Sequence, residues 1–170
     1  MKIIITTLLL GLFSFFLISC ANSKKKDYSM GKDGLIYKYG THELYNGIII
    51  DTVDIVVQYK VVNGKKNGQF ITHYLNGQIE KVGFIKNNLN EGEWKYYYSN
   101  GMLESVGTYE SSKAEGKWTY YYSNGVIKTE GNYVNSEKEG TWIFYHYSGK
   151  VDNCLFFRSG ELPKVQNKIS

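Results

Sequence analysis

From Gln69 onward, apolar and polar residues alternate in short runs. Trp94, Tyr96 and Tyr98 alternate with Lys95 and Tyr97, and the order returns as Trp118, Tyr120 and Tyr122 against Thr119 and Tyr121. Alternation of period two predicts β-strands with one apolar side. Each run ends in turn residues: Asn76-Gly77, Asn100-Gly101, Asn124-Gly125 and Ser148-Gly149. Strand-like runs joined by such pairs predict β-hairpins.

The hairpins recur on a fixed period. Gly68, Gly92, Gly116 and Gly140 fall one every 24 residues, and two residues after each stands Phe70, Trp94, Trp118 or Trp142. A fixed period of this size marks a repeat array rather than one closed domain. The expected fold is all-β: an elongated array of stacked antiparallel β-hairpins forming a single-layer twisted sheet. Asn-Gly suits a two-residue type I′ turn, which needs positive φ at both positions. That turn at Asn100-Gly101 places Tyr98 opposite Leu103, Tyr96 opposite Ser105, Trp94 opposite Gly107 and Gly92 opposite Tyr109. By the same count Trp118 faces Gly131 and Gly116 faces Tyr133. A ring lying over the bare backbone of a cross-strand glycine then explains the spacing.

Two faces follow. One carries Trp94, Tyr96, Tyr98 and Leu103, with Trp118, Tyr120, Tyr122 and Ile127, then Trp142 and Phe144. The other carries Lys95, Tyr97 and Glu104, with Thr119, Tyr121 and Lys128. The first is expected to be buried. A lone hairpin is marginal, so stacking must join the aromatic columns into one core. At two strands per unit, the array should extend roughly 45–55 Å.

The ends read differently. Residues 1–19 form a signal segment, with Lys2 ahead of an apolar stretch from Ile3 to Ile18. Residues 20–33 are polar and are expected to be a flexible tether. Residues 34–67 hold degenerate repeat material, as terminal caps do. The clean units run through residues 68–158, and residues 159–170, with Pro163, form a tail or edge protector.

Composition supports strands. The 170 residues include 16 Tyr, 8 Phe and 3 Trp but 1 Pro. The net charge of +4 is misleading, because residues 68–149 carry seven Lys against nine Glu. The basic excess lies at the ends, in Lys24, Lys25, Lys26, Lys32, Lys164 and Lys168. A nucleic-acid binder needs its positive charge on the folded face, so that function is excluded. The Lys24–Lys26 run is placed to meet anionic headgroups or simply to be solvated.

Catalysis finds no foothold. Of His42, His73 and His146, His73 matches the column of Tyr97 and His146 that of Tyr98, on opposite faces, and no nucleophile–base set or metal-ligand spacing accompanies them. Glu91, Glu115 and Glu139 repeat with the period and read as solvated loop charges. A non-enzyme without metal or cofactor is expected. Cys154 reads as a lone cysteine, buried or half-buried. The candidate binding residues are aromatic: Tyr97, Tyr121 and Tyr145 in one column, and Trp94, Trp118 and Trp142 in the other. Contiguous exposed aromatics mark interaction surfaces.

Leu17-Ile18-Ser19-Cys20 resembles the lipobox of bacterial lipoproteins. That resemblance implies cleavage before Cys20, acylation of Cys20 and anchoring to a membrane, the outer one if the cell has two, since Ala21 follows the cysteine. Gly92–Gly101 (Gly-Glu-Trp-Lys-Tyr-Tyr-Tyr-Ser-Asn-Gly), Gly116–Gly125, and Asn63–Gly68 (Asn-Gly-Lys-Lys-Asn-Gly) resemble the MORN-repeat variant of bacterial envelope proteins. The stretch from Asp33 to Gly47 is similar to the opening of lipoproteins in that family, so the resemblance covers about residues 33–158. It departs at Thr72, Ser148 and Leu155. It implies a membrane-associated, protein-binding scaffold with an unidentified protein partner. The alternatives are an antitoxin or immunity-type neutraliser of a toxin, and a glycan-binding lipoprotein.

Overall fold

The structure, a computed structural model, describes residues 26–52, 56–158 and 161–166, with the backbone path only for 162–166. The signal segment, Cys20 and the Lys24-Lys25 pair lie outside the described residues. Among the described residues there is no helix, and the chain forms thirteen strands.

The first two strands, β1 (Tyr28–Met30) and β2 (Ile36–Lys38), pair as a small antiparallel sheet. The other eleven form one antiparallel sheet in chain order. They are β3 (Gly47–Thr52), β4 (Val56–Val62), β5 (Lys65–His73), β6 (Ile79–Lys86), β7 (Leu89–Tyr97) and β8 (Leu103–Glu110), followed by β9 (Lys113–Tyr121), β10 (Ile127–Val134), β11 (Glu137–Tyr145), β12 (Val151–Arg158) and β13 (Glu161–Gln166). Ten interstrand steps span about 48 Å. The open array of stacked hairpins is therefore the fold, as expected.

The segment read as tether is partly folded. Tyr28 packs on Tyr45 at 5.8 Å, over a cluster of Ile36, Ile49 and Val61. The β1–β2 pair thus covers the inner face of β3 and β4. The tail also joins the sheet, as edge strand β13 paired with β12.

The turn assignment is corrected. At Asn76-Gly77, Asn100-Gly101, Asn124-Gly125 and Ser148-Gly149 only the glycine has positive φ, between 83° and 87°. The Gly101 N–H donates to the Tyr98 carbonyl and the Tyr98 N–H to the Met102 carbonyl, a longer loop closing on a left-handed glycine. Asn100 Oδ1 accepts the Met102 N–H at 3.0 Å, which holds the asparagine right-handed. Paired positive φ falls instead at the opposite rim, at Asn63-Gly64, Asn87-Asn88, Ser111-Ser112 and Asn135-Ser136. These are the two-residue type I′ turns, and they join successive units.

The longer loop shifts the register. Gly92↔Tyr109, Trp94↔Gly107 and Tyr96↔Ser105 pair as expected, but Tyr97, not Tyr98, pairs with Leu103. Glu104 is the extra residue of a β-bulge, and the same shift recurs at Ile127/Thr129. Leu103 and Ile127 therefore share a face with Tyr97 and Tyr121, while Glu104 and Lys128 turn to the aromatic face. There Glu80, the equivalent of Glu104, accepts the Thr72 hydroxyl at 2.8 Å, and the Lys128 ammonium lies 5.8 Å from the centre of the Tyr122 ring.

Candidate interaction face

The inner face is a closed slab of rings. Trp94, Trp118 and Trp142 are 3%, 3% and 0% exposed. Each lies flat on a glycine of the preceding strand: a Cβ on Gly83, Gly107 or Gly131 would sit 2.1–2.3 Å from the indole of Trp94, Trp118 or Trp142. So the ring covers the glycine eleven residues earlier, not its hairpin partner. The indole N–H groups donate to the carbonyls of Phe84, Thr108 and Asn132 at 3.1–3.2 Å. Tyr109 stands edge-on between Trp94 and Trp118, and Tyr133 between Trp118 and Trp142. Hydroxyl pairs Tyr96–Tyr109 (3.3 Å) and Tyr120–Tyr133 (3.2 Å) close the layer. Burial, then the shared hydrogen bond, pushes the Tyr96 and Tyr120 phenols well above the usual tyrosine value. Lys66 and Lys138 cover the two ends of the slab. Lys138 lies 4.2 Å from the Trp142 ring, and desolvation lowers both lysines below the usual value. The tryptophans named as binding candidates thus form the core and offer no ring face to a partner.

The repeat-spaced glycines have another reason. Gly92, Gly116 and Gly140 take φ of 65–70°, and a Cβ on any of them would meet nothing within 4 Å. They face Tyr109, Tyr133 and Phe157 in register. Their backbone conformation, not ring packing, calls for glycine.

The outer face differs in kind. Tyr97, Tyr121 and Tyr145 pair with Leu103, Ile127 and Val151, and His73 pairs with Ile79, giving one row of large apolar side chains. The three tyrosines are half-buried, and Ile79 and Val151 are exposed. Beside this row runs a second, of Val82, Lys95, Val106, Thr119, Glu130, Ile143 and Cys154. Phe84, 46% exposed, borders an open depression of about 450 Å³ with Gln69, Val82, Glu93 and Lys95.

Two ion pairs lie on this face. Lys95 pairs with Glu93 and Lys117 with Glu130, both at 2.8 Å. Tyr145 donates to the second Glu130 oxygen at 2.8 Å. The Lys117 ammonium, then that hydroxyl, holds the Glu130 carboxyl below the usual value. Exposed pairs of this kind add little stability.

The sequence reading missed Leu103, Ile127, Val151 and Phe84 as members of this face. Counting alternation through the loop without the bulge reverses their side. His73 lies on the outer face and His146 in a loop against Ser148, so the histidines do not converge. Among the described residues, no group of three His, Cys, Asp or Glu side chains is arranged to hold a metal.

No curated protein matches the chain. Three stretches of it match a repeat family whose units generally serve as protein- or membrane-binding modules. Residues 90–111, 114–135 and 138–159, each one hairpin following a type I′ turn, match the MORN repeat variant in three consecutive stretches.

Proposed function

We propose that the array is a non-catalytic protein-binding scaffold, held at a bacterial cell-envelope membrane by acylated Cys20, with the outer face as its docking surface. One observation carries the assignment of the face: the inner aromatics are sealed into the core, whereas Tyr97, Tyr121 and Tyr145 sit in an open apolar row with Leu103, Ile127 and Val151. Tyrosine suits such a surface, because it supplies contact area and a hydroxyl while losing few rotamers.

The test is capture from envelope extract with the full chain in detergent as bait. The triple variant Tyr97→Ala/Tyr121→Ala/Tyr145→Ala is the control, its fold checked by tryptophan fluorescence. A stoichiometric protein retained by the parent and lost by the variant is the expected result. Retention of polysaccharide instead of protein would favour the glycan-binding role, and a single tight toxin-like partner the immunity role. Equal retention by both baits would remove the outer face from consideration.

A further inference from the structure

The eleven-stranded sheet ends in two unlike edges. Edge strand β13 contains Pro163, which has no N–H, and Lys164. Both are devices that discourage further strand pairing. The other edge, β3, reads Gly-Ile-Ile-Ile-Asp-Thr, with neither proline nor lysine. Among the described residues it pairs with β4 on one side and with no strand on the other. Ile49 is buried against Ile36 and Val61, but Ile48 and Ile50, on the outer face, are 62% and 60% exposed. Ile50 heads the second row of the outer face, which continues through Gln58 and Ile71 to Val82. Asp51, the one charge of the strand, is already engaged: the Lys26 ammonium lies 2.6 Å from it and the Tyr28 hydroxyl donates to it at 3.3 Å.

We propose that β3 is a homodimer edge, joining antiparallel to β3 of a second copy so that the two sheets become one. Side chains must stay on their own faces, which permits only even register shifts. In one such register Ile48 lies opposite Ile50 of the second copy, Ile49 opposite Ile49, and Asp51 opposite Gly47. Every isoleucine then gains an apolar cross-strand neighbour, and the charged residue faces the position without a side chain. A shift of two residues one way sets Ile49 against Asp51; the other way shortens the overlap. The pairing is isologous and closes on itself, whereas joining β3 to β13 of another copy would propagate into a fibre. The guards on β13 and their absence on β3 fit that difference. The two-fold axis is normal to the sheet, so both outer faces lie on one side and form a single surface.

The test is disulfide trapping in intact cells with the full chain carrying Cys154→Ser. Ile48→Cys and Ile50→Cys chains with different tags are co-expressed, and the Cys154→Ser chain without a new cysteine is the blank. The expected result is a mixed Ile48→Cys/Ile50→Cys dimer several-fold more abundant than either self-linked species. In a second measurement, light scattering of the purified chain in detergent is expected to give twice the polypeptide mass. The Ile48→Lys/Ile50→Lys variant should give one, with unchanged tryptophan fluorescence. Self-linking as efficient as mixed linking, a monomeric parent, or a dimer untouched by the lysines would overturn the proposal. So would a complex of unequal chains, which would mean that the edge takes a foreign extended peptide.

Discussion

Gly107 and Gly116 stand nine residues apart and are glycine for different reasons. A Cβ on Gly107 would collide with the Trp118 ring at 2.1 Å, while Gly116 has open space but φ of +65°. Gly107→Ala should lift the indole off the sheet and break its bond to the Thr108 carbonyl, costing about 3 kcal/mol or more. Gly116→Ala should cost about 1 kcal/mol, the strain of a left-handed alanine. Denaturant melts of the two variants test this; equal losses would contradict it. The same logic explains Leu155, the position equivalent to Gly83, Gly107 and Gly131. Eleven residues after it stands Gln166 rather than tryptophan, so no ring needs the room. The tyrosine pairs lead to a pH prediction. Tyr96 and Tyr120 have folded-state values above the unfolded one of about 10, so their contribution is complete below that pH and is lost as pH rises past it. Full tyrosinate absorbance should therefore be reached only with loss of the sheet signal in circular dichroism, above about pH 10. Full titration of the tyrosines in an intact sheet would contradict that.

At the scale of the element, the turns tie each unit to the next. Asn76, Asn100 and Asn124 each accept an N–H within their own loop and donate from the side-chain amide to a carbonyl 23 residues on, that of Ser99, Ser123 or Tyr147. Tyr74, Tyr98 and Tyr122 donate to the carbonyls of Tyr97, Tyr121 and Tyr145. At the opposite rim Ser112 and Ser136 bond back to Asn90 and Ala114 through both backbone and hydroxyl, which offsets the strain of positive φ at serine. Glu91 and Glu115 accept the N–H of Ser111 and Asn135, so they are turn anchors rather than the solvated charges the spacing suggested. The last unit has His146 and Ser148 in place of the tyrosine and asparagine, and there the Ser148 hydroxyl bonds the His146 ring within its own loop at 3.1 Å. Asn100→Ala should thus cost about 1–2 kcal/mol through two lost hydrogen bonds, while Ser148→Ala should fall within about 0.5 kcal/mol of the parent. Thermal midpoints decide it, and a reversed order would refute the cross-tie.

At the scale of the whole molecule, each unit touches only its neighbours, so stability is close to a sum of units and interfaces. Deleting residues 113–136, one full period, brings Trp142 onto Gly107 and the Tyr98 hydroxyl to the Tyr145 carbonyl. The shortened chain should fold, with a lower melting midpoint and an unchanged circular dichroism shape. Deleting half a period, residues 113–124, should abolish folding, because it sets rings against side chains instead of glycines. A folded half-period deletion would contradict the one-dimensional picture.

The all-β class, the 24-residue period, the pairs Trp94↔Gly107 and Gly92↔Tyr109, and the burial of the tryptophan column were legible in the chain itself. They follow from local alternation and from spacing, which any window of two units contains. The turn type, the bulge at Glu104 and the side taken by Leu103 and Ile127 were decided only in the assembled sheet. Asn-Gly serves either turn. The choice falls to the asparagine amide that reaches the neighbouring loop, a contact between residues 23 apart that no local pattern contains. The ring over Gly107 likewise comes from the next unit, so the identity of the covering indole depends on stacking rather than on the hairpin.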